Sequence, residues 1–142
     1  MDGQSGRIRW NDSFALGDPQ IDAEHRRLVN ILNDLADAVE NGRGDSVLGS
    51  ILTRLRQYAA HHFSNEEAFM ERVGFTELER HRKLHAELSL TVTEYLRRFE
   101  SGARIRPVEI LNFLSDWLVD HIQREDRKAH DQVKPAAPDT PE

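Results

Sequence analysis

The sequence predicts an all-α fold, an up-down-up-down four-helix bundle with an N-terminal arm, and three observations support it. Four segments of about 20 residues carry inward positions at alternating spacings of three and four. Short loops bearing Gly, Asn or Pro separate them, and no stretch alternates with the period of two that a half-buried strand requires. With 142 residues the chain suits one domain with a real core and is too short for two comfortable ones. The expected organisation is an arm over residues 1–20, the bundle over 21–131, and a disordered Pro-rich tail over 132–142.

In the arm, Trp10, Phe14 and Leu16 stand among Asn, Asp, Gly and Pro without a sustained period, as in a strap held across a core by its aromatics. Asp18-Pro19 discourages helix before it, and Asp22 suits the N-cap of the first helix. That helix, roughly 22–40, has the seam Ile21, His25, Leu28, Leu32, Leu35 and Val39, and Asn41-Gly42 ends it. Asp45 or Ser46 can cap a second helix with the seam Leu48, Leu52, Leu55, Ala59, His62, Glu66, Phe69 and Val73, stopped by Gly74. Thr76-Glu77-Leu78-Glu79 has the form of a capping box with Thr76 at the cap. The third seam is then Leu78, His81, His85, Leu88, Val92, Tyr95 and Phe99, closed by Ser101-Gly102. Pro107 suits the first turn of a fourth helix. Its inward positions are Ile110, Leu111, Leu114, Trp117, Leu118, His121 and Ile122, and it fades near Ala129. Residues 135–142 have the composition of a disordered segment.

Composition excludes several functions. A net charge of −6 and a pI near 5.6 argue against a nucleic-acid partner, whose binders carry a clustered basic face. The absence of cysteine removes disulfides, iron–sulfur clusters, zinc–thiolate sites and thiol catalysis, so any metal must bind through nitrogen and oxygen. The polar start has no apolar signal region and no run approaches a membrane span, so a cytoplasmic protein with no membrane partner is expected.

The histidines carry the functional signal. Taken singly, His25 reads as a hydrogen-bonded core histidine, His62 and Glu66 as a surface pair one helical turn apart, and the Glu125-Asp126 region as a solvated charged turn. In an antiparallel bundle, however, the start of the first helix, the end of the second, the start of the third and the end of the fourth lie at one end. His25, His62, Glu66, His81, His85 and His121 therefore fall in one layer, and only His61 and His130 of the seven histidines stand outside the seams. Burying five imidazoles and a carboxylate together is costly unless a metal satisfies them. They are too many ligands for one ion, whereas two ions sharing bridging carboxylates and a bridging oxygen divide them as three and two imidazoles, leaving one coordination position open at one ion. The donor types alone admit iron, zinc or manganese.

The pattern of His25, His62-x-x-x-Glu66, His81-x-x-x-His85 and His121-x-x-x-x-Asp126 resembles the hemerythrin family, in particular its single-domain bacterial members. Trp10, Ile21-Asp22-x-Glu24-His25, His62-Phe63-x-x-Glu66-Glu67-x-x-Met70 and Trp117-Leu118-x-x-His121-Ile122 agree with it. The resemblance covers residues 10 to about 130. It implies two iron ions (Fe2+/Fe3+) with a bridging oxo or hydroxo group: His81, His85 and His121 on one, His25 and His62 on the other, Glu66 and Asp126 bridging. It implies reversible binding of dioxygen at the five-coordinate iron, in a dry pocket lined by Leu28, Phe63, Trp117 and Ile122, and an oxygen carrier, store or sensor rather than an enzyme. A di-iron redox enzyme acting on peroxide or nitric oxide would use the same ligands. A ferritin-like oxidase is disfavoured, because that class is built on Glu-x-x-His pairs and none occurs. Regular α geometry would favour Glu125, four residues after His121, so the choice of Asp126 requires a displaced turn or a skewed bridge.

Overall fold

Asp18 starts the first helix. Its carboxylate accepts from the N–H groups of Gln20 (3.0 Å) and Ile21 (3.2 Å), and Pro19 occupies the first helical position, where its missing donor costs nothing. This is a correction to the expected cap at Asp22, which instead accepts from the backbone of Leu16 (2.9 Å) and Gly17 (3.3 Å) and fastens the end of the arm. The computed structural model describes residues 7–133, and the expectations for residues 1–6 and 134–142 lie outside the described residues.

Helix α1 spans Pro19–Glu40, α2 Gly44–Val73, α3 Leu78–Glu100 and α4 Pro107–Asp120; no strand occurs among the described residues. A π-helical segment, His121–Asp126, continues α4 into α5, Arg127–Val133. The cap of helix α2 lies two residues before Asp45 and three before Ser46: Arg43 is the N-cap, Asp45 and Ser46 lie in the first turn, and Ser46 Oγ donates back to the Arg43 carbonyl (2.9 Å). Gly44 at this first helical position is closely packed, since a Cβ there would stand 3.0 Å from Pro107 Cβ and 3.1 Å from Val39 Cγ2. At the other end Gly74 takes the left-handed conformation (φ 70°) and Phe75 N–H bonds the Met70 carbonyl (2.9 Å), stopping α2 as expected. The capping box at Thr76 does not form. Glu77 is the N-cap of α3, and Thr76 donates through its N–H (3.2 Å) and hydroxyl (3.1 Å) to Gln132 Oε1. That contact draws α5 through Val133, so Gln132 and Val133, assigned to the tail, are helical.

The seams pack α1 against α2 and α4, and α2 against α3. Leu28, Leu32, Leu35, Leu48, Leu52, Ile110 and Leu111 are fully buried between them. The arm lies over this core. Ile8 and Phe14 are buried, and Trp10 stacks on Phe14 (5.1 Å) beneath the Arg26 guanidinium (4.5 Å). Arg127 donates to the Ser13 carbonyl (2.7 Å) and Gln123 to Ser13 Oγ (2.7 Å), so the arm also braces the π segment. Buried Asn33 pairs with both backbone groups of Ile8, accepting from its N–H (2.8 Å) and donating to its carbonyl (2.9 Å).

Replacing Asn33 by Ala leaves two buried backbone groups without partners, which costs about 1–3 kcal/mol. We expect Asn33→Ala to lower stability in urea by that amount and to speed exchange of the Ile8 amide, with the bundle retained by circular dichroism.

Candidate metal centre

All seven residues that the sequence singles out as ligands meet in one buried layer. His25 comes from α1, His62 and Glu66 from α2, His81 and His85 from α3, and His121 and Asp126 from the π segment; none is more than 3% exposed. Ligand atoms form two groups that share the carboxylates: Glu66, His81, His85, His121 and Asp126 in one, His25, His62, Glu66 and Asp126 in the other. Glu66 Oε1 faces His81 Nε2 (3.3 Å) and His85 Nε2 (3.1 Å), while its Oε2 faces His25 Nε2 (3.5 Å) and His62 Nε2 (3.7 Å). Asp126 divides in the same way, Oδ1 toward His81 (2.9 Å) and His121 (3.0 Å), Oδ2 toward His25 (2.9 Å).

Asp126 reaches this layer because of the π turn. In an i→i+5 repeat, residues five apart stand one above the other, so Asp126 lies under His121 on the inner face. This is the displaced turn that the spacing requires. Glu125 is rotated outward, where Arg80 grips it bidentately (2.6 and 3.2 Å) and holds its carboxyl down at about 2, below the usual carboxylate range.

Many of these close approaches lack hydrogen-bond alignment. His25 Nε2, His62 Nε2, Glu66 Oε2 and both Asp126 oxygens are buried with no hydrogen-bond partner, although nitrogen and oxygen atoms crowd around them. His85 Nε2 and His121 Nε2 face each other at 3.1 Å. Ring nitrogens and carboxylate oxygens converging in this way are met more fully by cations than by hydrogen bonds. The nitrogen and oxygen donor set suits borderline and hard first-row divalent ions.

Charge repeats the pattern. Burial disfavours ionisation of Glu66, but the four imidazoles around it outweigh that and hold its carboxyl well below the ordinary range. Asp126 is also held low: burial and the Glu66 charge oppose its ionisation, and His121 and His25 overcome them. Burial pulls the imidazoles down, yet the facing Asp126 and Glu66 carboxylates push His25 up to about 9 and His121 up to about 10. His62 is lowered by burial. Without metal, the layer therefore keeps protons on His25 and His121 where cationic charge is needed.

Two residues that touch this layer escape the seam reading, as does one buried histidine beyond it. Glu24, one residue off the seam, is buried and reaches His62 Nδ1 (2.6 Å); Glu67, beside the inward Glu66, reaches His85 Nδ1 (2.7 Å). The Ile21-Asp22-x-Glu24-His25 and Glu66-Glu67 runs flagged both positions without a role. His130, outside the seams, is nevertheless buried and stacked on Phe69 (4.6 Å). Of the expected pocket residues, Leu28, Phe63 and Trp117 line a small apolar cavity between the helices, with room for at most about one water-sized molecule. Ile122 is fully buried in the same core but does not line that cavity. Phe63 stacks on His85 (3.8 Å, 4°) and Trp117 on His121 (4.3 Å, 12°), so the cavity walls rest on the imidazole layer.

Residues 16–133 match the family model of the hemerythrin HHE cation binding domain. The chain is similar to a bacteriohemerythrin of Stenotrophomonas maltophilia, 34% identical over 88% of this chain and 80% of that one. A Clostridium acetobutylicum bacteriohemerythrin is 30% identical over 84% and 95%. The crystal structure of a wild-type hemerythrin superposes with a TM-score of 0.77 at 26% identity, covering 84% of this chain and 92% of that one. Among the described residues, no helix is long and apolar enough to cross a membrane.

The pKa values set a pH dependence for the metal-free protein. His25 and His121 are raised above the ordinary histidine value of 6.5, so their contribution is complete below about 6.5 and is lost as pH rises through about 9 and 10. Urea unfolding of the metal-free protein should show stability falling across that window, while the metal-loaded protein, whose ligating imidazoles are already neutral, loses less. Equal slopes for the two forms would contradict this account of the layer.

Proposed function

The chain belongs to the hemerythrin family, and from that premise we propose that it binds dioxygen reversibly at a non-heme di-iron centre, as a cytoplasmic carrier, store or sensor. The observation that carries this reading is the division of one buried layer into a three-imidazole group and a two-imidazole group sharing Glu66 and Asp126. His81, His85 and His121 would hold one iron, His25 and His62 the other, with Glu66, Asp126 and an oxo or hydroxo group bridging them. The unequal imidazole count leaves a place for one small ligand at the two-histidine end. When bound, the irons supply the electrons that dioxygen accepts and returns.

The chain's own residues provide selectivity and protection. Leu28, Phe63, Trp117 and Ile122 would form the oxygen pocket, and the apolar cavity lined by Leu28, Phe63 and Trp117 supports that role for those three because it favours a small apolar guest. Excluding water and protons from the layer protects the bound guest from irreversible reduction and loss. Stacking of Phe63 and Trp117 on His85 and His121 keeps those rings from turning as the guest enters and leaves.

The test is an ultraviolet–visible spectrum of the iron-loaded, reduced protein under argon, after admitting air, and after purging. An absorption band that appears with air and disappears on purging supports reversible binding. Irreversible conversion to the oxidised form, with steady consumption of peroxide or nitric oxide under reducing conditions, would instead make the chain a redox enzyme on the same scaffold.

A further inference from the structure

We propose that Glu24 and Glu67 are positioning residues that strengthen the two ends of this centre unequally, Glu24 acting strongly through His62 and Glu67 weakly through His85. The inference rests on the two-ion reading of the layer. Glu24 belongs to α1 but its carboxylate crosses to α2. Its Oε1 lies 2.6 Å from His62 Nδ1, and its Oε2 accepts from Asn65 Nδ2 (2.8 Å) and Gln20 Nε2 (3.2 Å). Its side chain is only 8% exposed, so its charge acts through protein rather than water. Glu67 stands equally close to His85 Nδ1 (2.7 Å), but its side chain is 26% exposed and its other oxygen lies 3.6 Å from Arg82 Nε. Water and a guanidinium therefore draw off much of its charge.

A carboxylate that takes the Nδ1–H of an imidazole fixes the tautomer, leaves Nε2 as the free donor, and makes that donor more basic. His62 Nε2 and His85 Nε2 are the atoms aimed into the layer. The two-histidine end has no other such support, because His25 Nδ1 is buried without a hydrogen-bond partner. That end has fewer imidazoles and depends on one of them, held by the buried Glu24.

Zn2+ provides the probe, since this donor set accepts it and it leaves the histidine resonances visible to NMR. Metal-free wild type, Glu24→Gln and Glu67→Gln are titrated with Zn2+ by calorimetry, and each step is assigned to an end from the histidine resonances. In Glu24→Gln, the His25/His62 step should weaken about 10–100-fold while the three-histidine step keeps its affinity. The exchange-protected His62 Nδ1–H signal should move upfield as the charge behind it is lost. Glu67→Gln should weaken only the His85 end, and by a smaller factor. Gln preserves shape and a hydrogen-bond acceptor, and unchanged helical circular dichroism of the metal-free variants excludes unfolding as the cause. Unchanged Zn2+ affinity in Glu24→Gln, or an equal loss at both ends, would overturn the proposal. Fewer than two Zn2+ ions in wild type would instead overturn the two-ion reading on which it rests.

Discussion

Two ionised carboxylates cannot remain in a buried layer unless positive charge stands among them, and the rest of this structure depends on that constraint. Glu66 and Asp126 are fully buried, at the centre of five imidazoles, and no Lys or Arg among the described residues forms an ion pair with either. In the metal-free protein His25 and His121 answer the demand by retaining protons to about pH 9 and 10. Cations answer it more fully, since each can meet several lone pairs at once where a proton meets two. The layer is thus electrostatically prepared for ions, and its protons mark where their charge would sit.

The bundle makes such a layer possible because antiparallel helices bring residues distant in sequence to the same depth, each from a rigid backbone. Rigidity is supplied around the layer rather than within it. The leucine seams fill the bundle on one side, the arm and Arg127 brace the π segment, and Arg80 fixes Glu125 outside it. Unsatisfied ligand atoms would otherwise favour local rearrangement.

Helix identity, the order of elements and the common depth of His25, His62, Glu66, His81, His85 and His121 were legible in the sequence, because a heptad-like period assigns faces and chain direction assigns depth, whereas Asp126 entered through the family resemblance alone. His62 over His61 and Glu66 over Glu67 follow from that period alone. Caps were less legible. Thr76 has the sequence form of a capping residue, yet Gln132, 56 positions away, claims it, and no local rule sees such a partner. Asp22 has suitable chemistry for a cap, but the arm's backbone takes its carboxylate and Asp18 caps the helix instead. The π turn was visible only as a conflict, since five residues separate His121 from Asp126 where α geometry allows four. Glu24 lay beyond the period because a residue off the seam reaches the layer only through its neighbour's side chain.

The most direct test is magnetic. Iron-loaded, air-oxidised protein, with iron quantified per chain, can be measured by low-temperature magnetic susceptibility and electron paramagnetic resonance. If Glu66 and Asp126 bridge, there should be two irons per chain behaving as one antiferromagnetically coupled pair with no resonance from isolated Fe3+. One iron per chain, or two giving the signal of independent high-spin Fe3+, would contradict the shared-carboxylate centre.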